Sequence, residues 1–374
     1  MEMTDNGRKL KVAILFGGRS GEHEVSLMSA ASVLKVIDRD KYEVIEIGIT
    51  HAGAWLTGPA VLQAFNSVNL AGLTQVSLLP DPTRPGLRLH LPGDVEQHLE
   101  VDVFFPVLHG TFGEDGTLQG LLELADVAYV GANVVSSAVG MDKGVFKSVM
   151  QANNIPVVES LLVTRGEIRD NMDNVVARLH AFGSYPLFIK PANLGSSVGI
   201  SKCNSRADLA EALLEAARYD RRILVERGVV HPREIEVSVL GNDEPRVSLP
   251  GEIIPGADFY SYDAKYFSND SRLLIPAQLS GHQTEYIRTV AARAYKAIDG
   301  CGMARVDFLL DPANGKIYLN EVNTIPGFTS ISMYPKMWEA TGLPYDQLID
   351  ELIRYALERK ADRDISEHEF RRNV

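Results

Sequence analysis

Arg305-Val-Asp307-Phe-Leu309 and, one short turn later, Ile317-Tyr-Leu319-Asn-Glu321-Val-Asn323 are the stretches that decide the fold. Both alternate apolar and polar residues, the period of a half-buried strand. Arg305 and Asp307 therefore share one face, and Glu321 and Asn323 another. Two neighbouring strands of this kind present a cluster of hard oxygen donors with an arginine alongside. Magnesium takes one or two carboxylates together with phosphate oxygens, and these are the ligand types on offer. Two amphipathic strands with solvated outer faces would alternate in the same way. They would not explain why the polar residues sit at the strand end, followed at once by Thr324-Ile-Pro-Gly327, a glycine turn able to aim an amide.

Upstream, Lys190-Pro-Ala-Asn-Leu-Gly195-Ser196-Ser197-Val-Gly199 lies between two strand-like runs. A loop rich in glycine and serine offers backbone donors that can close over phosphates, and the lysine supplies a point charge. Its spacing departs from the P-loop and it opens no helix, which disfavours a P-loop ATPase. A plain flexible loop stays open as the alternative. Nearer the start, Gly17-Gly18-Arg19-Ser20-Gly21-Glu22 follows an apolar run. Glycine amides at a helix start bind anions, whereas Glu22 opposes an anion and suits an ammonium group; a purely structural turn is an equal alternative. The G-x-G-x-x-G fingerprint is absent. A dinucleotide-binding oxidoreductase, suggested by the strand-glycine-helix opening, thus lacks its first element.

At 374 residues the chain suggests two to three domains, taking about 150 residues for each. With 45% hydrophobic and 23% charged residues it is composed like an ordinary globular protein. Lysine plus arginine is 37 against 49 for aspartate plus glutamate, a net charge of −12 that repels nucleic-acid backbones. Any phosphate must therefore be gripped by local groups. Cys203 and Cys301 have neither zinc spacing nor a disulfide framework. Residues 1–10 are polar, the apolar run at 12–16 is too short for a signal-peptide core, and no stretch approaches a membrane span. A cytoplasmic location without membrane or nucleic-acid partners is expected.

Patterning predicts a strand at 12–16, a helix at 25–37 and strands at 42–49 and 101–108, a parallel α/β unit. Residues 56–100 read as loops with short strands. A helix is expected at 133–153, strands at 157–163, 187–190 and 223–226, and a helix at 206–218. A strand-rich group follows at 234–240, 246–254, 304–310 and 316–322, interrupted by a helix at 283–298. Helices close the chain after 334, and the charged tail beyond 358 reads as a solvated helix end. The class is α/β, with α+β character in the C-terminal part.

A glutamate-bearing glycine turn, a lysine with its glycine-serine loop, then Arg-x-Asp and Glu-x-Asn strands follow one another in the layout of an ATP-grasp enzyme. Together with His109-Gly-Thr-Phe-Gly-Glu-Asp-Gly-Thr-Leu-Gln-Gly120, Met141-Asp-Lys143 and Tyr262-Asp-Ala-Lys265-Tyr266, these motifs closely resemble D-alanine:D-alanine ligases over about residues 11–357, with the segment 51–100 similar to the long bacterial form. The resemblance implies a three-domain ATP-grasp architecture: an N-terminal α/β substrate domain (1–131), a central small domain (132–226) and a C-terminal domain with the magnesium site (227–374). ATP would lie between the last two. It further implies that Lys143, Lys190 and Ser197 meet ATP phosphates, that Glu226 and the backbone near Val229 read adenine, and that Glu234 holds the ribose. Lys265 would reach the transferring phosphoryl group. Asp307, Glu321 and Asn323 would bind two magnesium ions, with manganese able to substitute.

By the same resemblance Glu22 would hold the first D-alanine's ammonium, with Ser196 and Tyr266 completing a hydrogen-bonded set and His109 nearby. Ser332 and the amide of Met333 would hold the second substrate's carboxylate. Arg305 and the amide of Gly327 would stabilise the tetrahedral oxyanion, where one lost donor typically costs about 3 to 4 kcal/mol of barrier. Residues 256–272 are expected to form a lid that keeps water from an acyl phosphate. Related ligases that make an ester with D-lactate lack the tyrosine matching Tyr266, so peptide formation is expected. A D-alanine:D-lactate ligase, or another ATP-grasp carboxylate-amine ligase, is the alternative. The resemblance also implies a homodimer serving peptidoglycan precursor synthesis.

Overall fold

The computed structural model describes residues 8–195, 198–254 and 272–367. Ser196, Ser197, Lys265, Tyr266 and all but the last residue of the expected lid lie outside the described residues.

The first sheet grows around β1 (Leu10–Gly17), whose apolar centre, from Val12 to Phe16, is wholly buried because both faces are covered. It pairs in parallel with β2 (Tyr42–Ile49) on one side and β7 (Val103–Pro106) on the other, and β8 (Ala128–Tyr129) extends the parallel part. The stretch that sequence left irregular is ordered as antiparallel ribbons, β3 (Trp55–Thr57), β4 (Thr74–Leu78), β5 (Leu87–Leu91) and β6 (Val95–Leu99), added beyond β2 in the order β6-β5-β4-β3-β2-β1-β7-β8. Helices α1 (His23–Val36), α2 (Val61–Asn66) and α3 (Thr117–Leu124) flank the sheet.

The helix expected at 133–153 is two helices, α4 (Val134–Met141) and α5 (Lys143–Ala152). Asp142 between them has an extended backbone, and its carboxylate caps α5 by accepting from the amides of Gly144 and Val145 at 3.0 and 2.9 Å. A second, antiparallel sheet then follows. Its strands are β9 (Ser160–Thr164), β10 (Leu187–Pro191), β11 (Ser201–Cys203) and β12 (Arg222–Arg227), in the order β11-β10-β12-β9. The strand expected from 157 begins only at Ser160, because Val157 bridges instead to Leu319 of the third sheet.

Helices α2 and α3 were not expected from the sequence pattern, and a third unanticipated helix follows β9. The chain from Arg165 to Phe182 forms α6, which starts at a capping box in which Thr164 and Glu167 satisfy each other's backbone amides. Only Ile168, Val175 and Leu179 are buried on it, too sparse an apolar stripe to signal a helix by period. After a short 3₁₀ turn at Arg206–Asp208, α7 (Leu209–Tyr219) packs beside α6.

The third sheet comprises β13 (Arg233–Leu240), β14 (Arg246–Val247), β15 (Gly251–Ile254), β16 (Arg272–Leu274), β17 (Met303–Leu310) and β18 (Ile317–Asn323), in the order β16-β15-β13-β17-β18 with β14 paired to β13. Helix α8 (Gly281–Ala297) covers its apolar face through Ile287, Val290, Ala291 and Ala294.

The last two helices, α9 (Met333–Ala340) and α10 (Tyr345–Arg363), return to the first sheet. Trp338, Leu348, Ile349, Leu352 and Ile353 share one core with Val12, Ile14, Val103 and Phe105. The charged end of α10 is solvated on one side, with Ala361 and Asp362 exposed, and docked on the other: Arg359 donates to the carbonyls of Tyr129 (2.8 Å) and Gly131 (2.5 Å), and Arg363 pairs with Glu123 and Asp126. Among the described residues no helix is long and apolar enough to cross a membrane.

Because Leu352 is fully buried where α10 meets β1 and β7, Leu352→Ala should lower stability by about 2–5 kcal/mol. Chemical denaturation should show the first unfolding transition moved to lower denaturant. An unmoved transition would mean that α10 is not docked there.

Candidate active site

The end of β1 is shaped by backbone that only glycine tolerates. Gly17 has φ +90°, and a Cβ on it would stand 2.3 Å from the carbonyl oxygen of Ile49. Ser26 on α1 holds the turn by accepting from the Gly17 amide at 2.8 Å while donating to the carbonyl of Val107 at 2.5 Å. The turn delivers Glu22 to the start of α1, where its side chain is buried. Glu22 Oε2 lies between two glycines: a Cβ on Gly110 would stand 2.4 Å from it, and one on Gly195 3.0 Å. The glutamate of the first motif thus touches both the His109 motif and the glycine-serine loop.

His109 is buried behind this point. Its Nδ1 faces the carbonyl of Ile325 at 3.1 Å and so carries the hydrogen, leaving Nε2 to accept from Ser29 Oγ at 2.9 Å. Burial pushes the imidazole below its ordinary range, so it is neutral near pH 7. Beside it, Glu114 Oε2 accepts from the Gly110 amide at 2.7 Å. Burial, reinforced by the nearby Glu22, pushes the Glu114 carboxyl well above its ordinary range. No role was assigned to Glu114 from sequence, because a carboxylate inside a glycine-rich motif reads as a turn residue until its surroundings are known.

On the second sheet, Glu226 of β12 is buried and held by two lysines. Lys147 of α5 meets Oε1 at 2.5 Å, and Lys190 of β10 meets Oε2. Burial alone would raise this carboxyl, but the two lysines outweigh it and hold it at about 2. Lys143, at the start of α5, donates to the carbonyl of Leu194 at 2.6 Å, so it sits against the glycine-serine loop. Val229 follows β12 and is half-buried. Glu234 is half-buried on β13, one alternation from Glu236 and so on the same face.

On the third sheet the alternation works as expected. The register pairs Arg305 with Asn323 and Asp307 with Glu321, with a bulge after Asp307. Arg305 forks onto Asp307 through Nε (2.7 Å) and Nη2 (2.6 Å), and Asn323 Nδ2 donates to Asp307 Oδ2 at 2.9 Å. The same Nε also lies 3.1 Å from Glu236 Oε2. Burial disfavours the charged guanidinium, yet Asp307 and Glu236 more than offset that and keep it protonated. Glu236 is buried as a counter-charge of Arg305.

Beyond β18, Gly327 lies so close to Ser332 that a Cβ there would stand 2.7 Å from Ser332 Oγ. Ser332 Oγ accepts from the Thr329 amide at 3.0 Å and sits at the start of α9, while Met333 is buried against Gly251. Among the described residues no three His, Cys, Asp or Glu side chains converge as a ready-made metal site. Asp307, Glu321 and Asn323 instead offer two carboxylates and an amide oxygen, a hard donor set suited to an ion that shares phosphate oxygens.

A carboxyl with a raised folded-state pKa adds stability below its unfolded value of 4.5, and that contribution is lost as pH rises. Glu114→Gln should therefore match the parent near pH 4.5 and melt at a higher temperature at pH 8. Thermal melts whose difference does not grow between those pH values would contradict the buried, protonated state.

Comparison with known proteins agrees with this geometry. The D-ala D-ala ligase N-terminus model matches residues 11–132 and the D-ala D-ala ligase C-terminus model residues 149–354. The chain is 50% identical over 351 residues to a D-alanine–D-alanine ligase of Heliobacterium modesticaldum, covering 94% of this chain and 95% of that one. It is 51% identical over 351 residues to one from Caldicellulosiruptor bescii, covering 94% and 96%. Among solved structures, the D-alanine-D-alanine ligase from Coxiella burnetii superposes with a TM-score of 0.82 at 39% identity, covering 96% of each chain. The VanG D-Ala:D-Ser ligase from Enterococcus faecalis gives 0.83 at 36% identity, covering 93% of this chain and 100% of that one. With its mixed first sheet and two antiparallel sheets, this chain has the ATP-grasp fold and belongs to the D-alanine–D-alanine ligase family.

Proposed function

We propose that this chain joins two D-alanine molecules into D-alanyl-D-alanine, converting ATP to ADP and phosphate and supplying the dipeptide for peptidoglycan precursors. One observation carries the proposal. Glu22, an ammonium acceptor in type, touches Gly195 of the glycine-serine loop, and the His109 next to it bonds the turn that follows the Arg305–Asp307–Glu321–Asn323 cluster.

A carboxylate is a poor electrophile, so the first D-alanine's carboxylate oxygen attacks the γ-phosphorus of ATP, the bond to the β,γ-bridging oxygen breaks, ADP departs and an acyl phosphate is formed. Glu22 holds this substrate's ammonium, with Ser196 and Tyr266 beside it and His109 behind. Lys143, Lys190, Ser197 and Lys265 neutralise the polyphosphate and the moving phosphoryl group. Glu226 and the backbone near Val229 take the adenine, and Glu234 the ribose. The second D-alanine, held through its carboxylate by Ser332 and the amide of Met333, attacks the acyl carbon with its amine. Arg305 and the amide of Gly327 meet the oxyanion, phosphate departs, and the peptide remains.

Asp307, Glu321 and Asn323 would hold magnesium, two ions with manganese as a substitute, which would supply positive charge against the phosphate oxygens. Residues 256–272 act as the lid. The domains are 1–131, 132–226 and 227–374, and the working protein is a cytoplasmic homodimer.

Phosphate release from ATP with magnesium should require D-alanine, with L-alanine and D-lactate giving little; silence with D-alanine, or ester formed as readily as dipeptide near neutral pH, would overturn the assignment. Glu321→Gln should lower turnover by at least about a hundredfold, the scale of a lost charge-stabilising group, while circular dichroism stays that of the parent. Near-parent turnover would remove Glu321 from the metal site.

A further inference from the structure

Lys147 meets Glu226, the residue given the adenine role, and the proposed reaction leaves it without a task. It is almost wholly buried on α5, yet it is a lysine, a residue that seldom leaves water unless it is paired. Its Nζ is fixed twice, to Glu226 Oε1 at 2.5 Å and to the carbonyl of Val158 at 3.0 Å. Lys190 approaches the other oxygen of the same carboxylate and is the more exposed of the two lysines. Burial pushes the Lys147 ammonium down, against the pull of Glu226.

Two cations on one anion leave a surplus of one positive charge beside the glycine-serine loop. When a polyphosphate arrives, one lysine can leave Glu226 without stranding it, since the other remains to neutralise it. Lys147 is the one that must stay, because it is buried and tethered to Val158. Lys190, on β10 at the mouth of the loop, is the one able to turn. Without Lys147, the departure of Lys190 would leave a buried carboxylate uncompensated, which proteins avoid by keeping the pair closed or by protonating the acid. We propose that Lys147 is a positioning residue that keeps Glu226 an ionised hydrogen-bond acceptor for the exocyclic amino group of adenine while freeing Lys190 for the nucleotide's phosphates. This rests on the adenine role given to Glu226 above.

The test compares Lys147→Gln, which keeps a neutral donor for the Val158 carbonyl, with Lys147→Arg, which restores the charge, using ATP and inosine triphosphate, whose base lacks the 6-amino group. Lys147→Gln should raise KM for ATP about tenfold, leave KM for D-alanine within about twofold, and reduce the preference for ATP over inosine triphosphate; Lys147→Arg should recover most of both losses. A merely structural lysine would lower the melting temperature without changing nucleobase preference. Lys147→Gln with parental KM for ATP and parental preference overturns the proposal, as does a loss that Lys147→Arg fails to recover while its melting temperature is parental. Glu226→Gln separates the two layers. If it retains the parental preference, Glu226 does not read adenine; if it loses the preference while Lys147→Gln keeps it, only the role of Lys147 falls.

Discussion

Arg305 is half-buried and held by two carboxylates, Asp307 in the next-but-one position of its own strand and Glu236 on the neighbouring β13, and the geometry of the third sheet's polar face depends on that arrangement. A guanidinium taken out of water without partners is very costly, whereas one gripped bidentately is held in a fixed plane. The fork fixes both Asp307 oxygens, and Asn323 ties β18 to the same carboxylate. The polar side chains of β17 and β18 are thus tied to one another by hydrogen bonds. Donors fixed in this way can meet a charge without reorganising.

The same rule operates on the second sheet with the signs reversed. There the buried anion is Glu226, and two lysines from different elements, α5 and β10, hold it. In both places at least one counter-charge comes from another element of the chain, Glu236 of β13 for Arg305 and Lys147 of α5 for Glu226. The first sheet follows a different rule at His109, which is neutral and serves as a hydrogen-bonded strut from Ser29 to the backbone of Ile325. The site is thus framed by charged pairs and one neutral linker, with Gly110 and Gly195 allowing backbone to approach Glu22 closely.

Much of this was legible along the chain. Strand β2 fell at the residues its alternation marked, and β10, β12, β13, β17 and β18 lay within a residue or two of expectation, because a two-residue period is a local property of half-buried strands. Arg305 with Asp307, and Glu321 with Asn323, were read from the same period. What stayed hidden depended on partners far away in sequence. Helix α6 buries too few apolar residues to show a period, although its capping box at Thr164 and Glu167 was a visible start signal. The ribbons β3 to β6 are short and separated by proline and glycine, which conceals their pairing.

By itself the sequence determined the α/β class, the order of motifs and the residue types of the site, since each follows from local alternation, glycine turns and the chemistry of the side chains present. Only the tertiary structure decided that Glu236 is a counter-ion, that Lys147 shares Glu226 with Lys190, that Glu114 sits where desolvation raises its carboxyl, and that the charged end of α10 is docked on the first sheet through Arg359 and Arg363. The reason is physical: the state of a charged group is set by how much water it loses and which opposite charge replaces that water. Both depend on elements that meet only when the chain has folded.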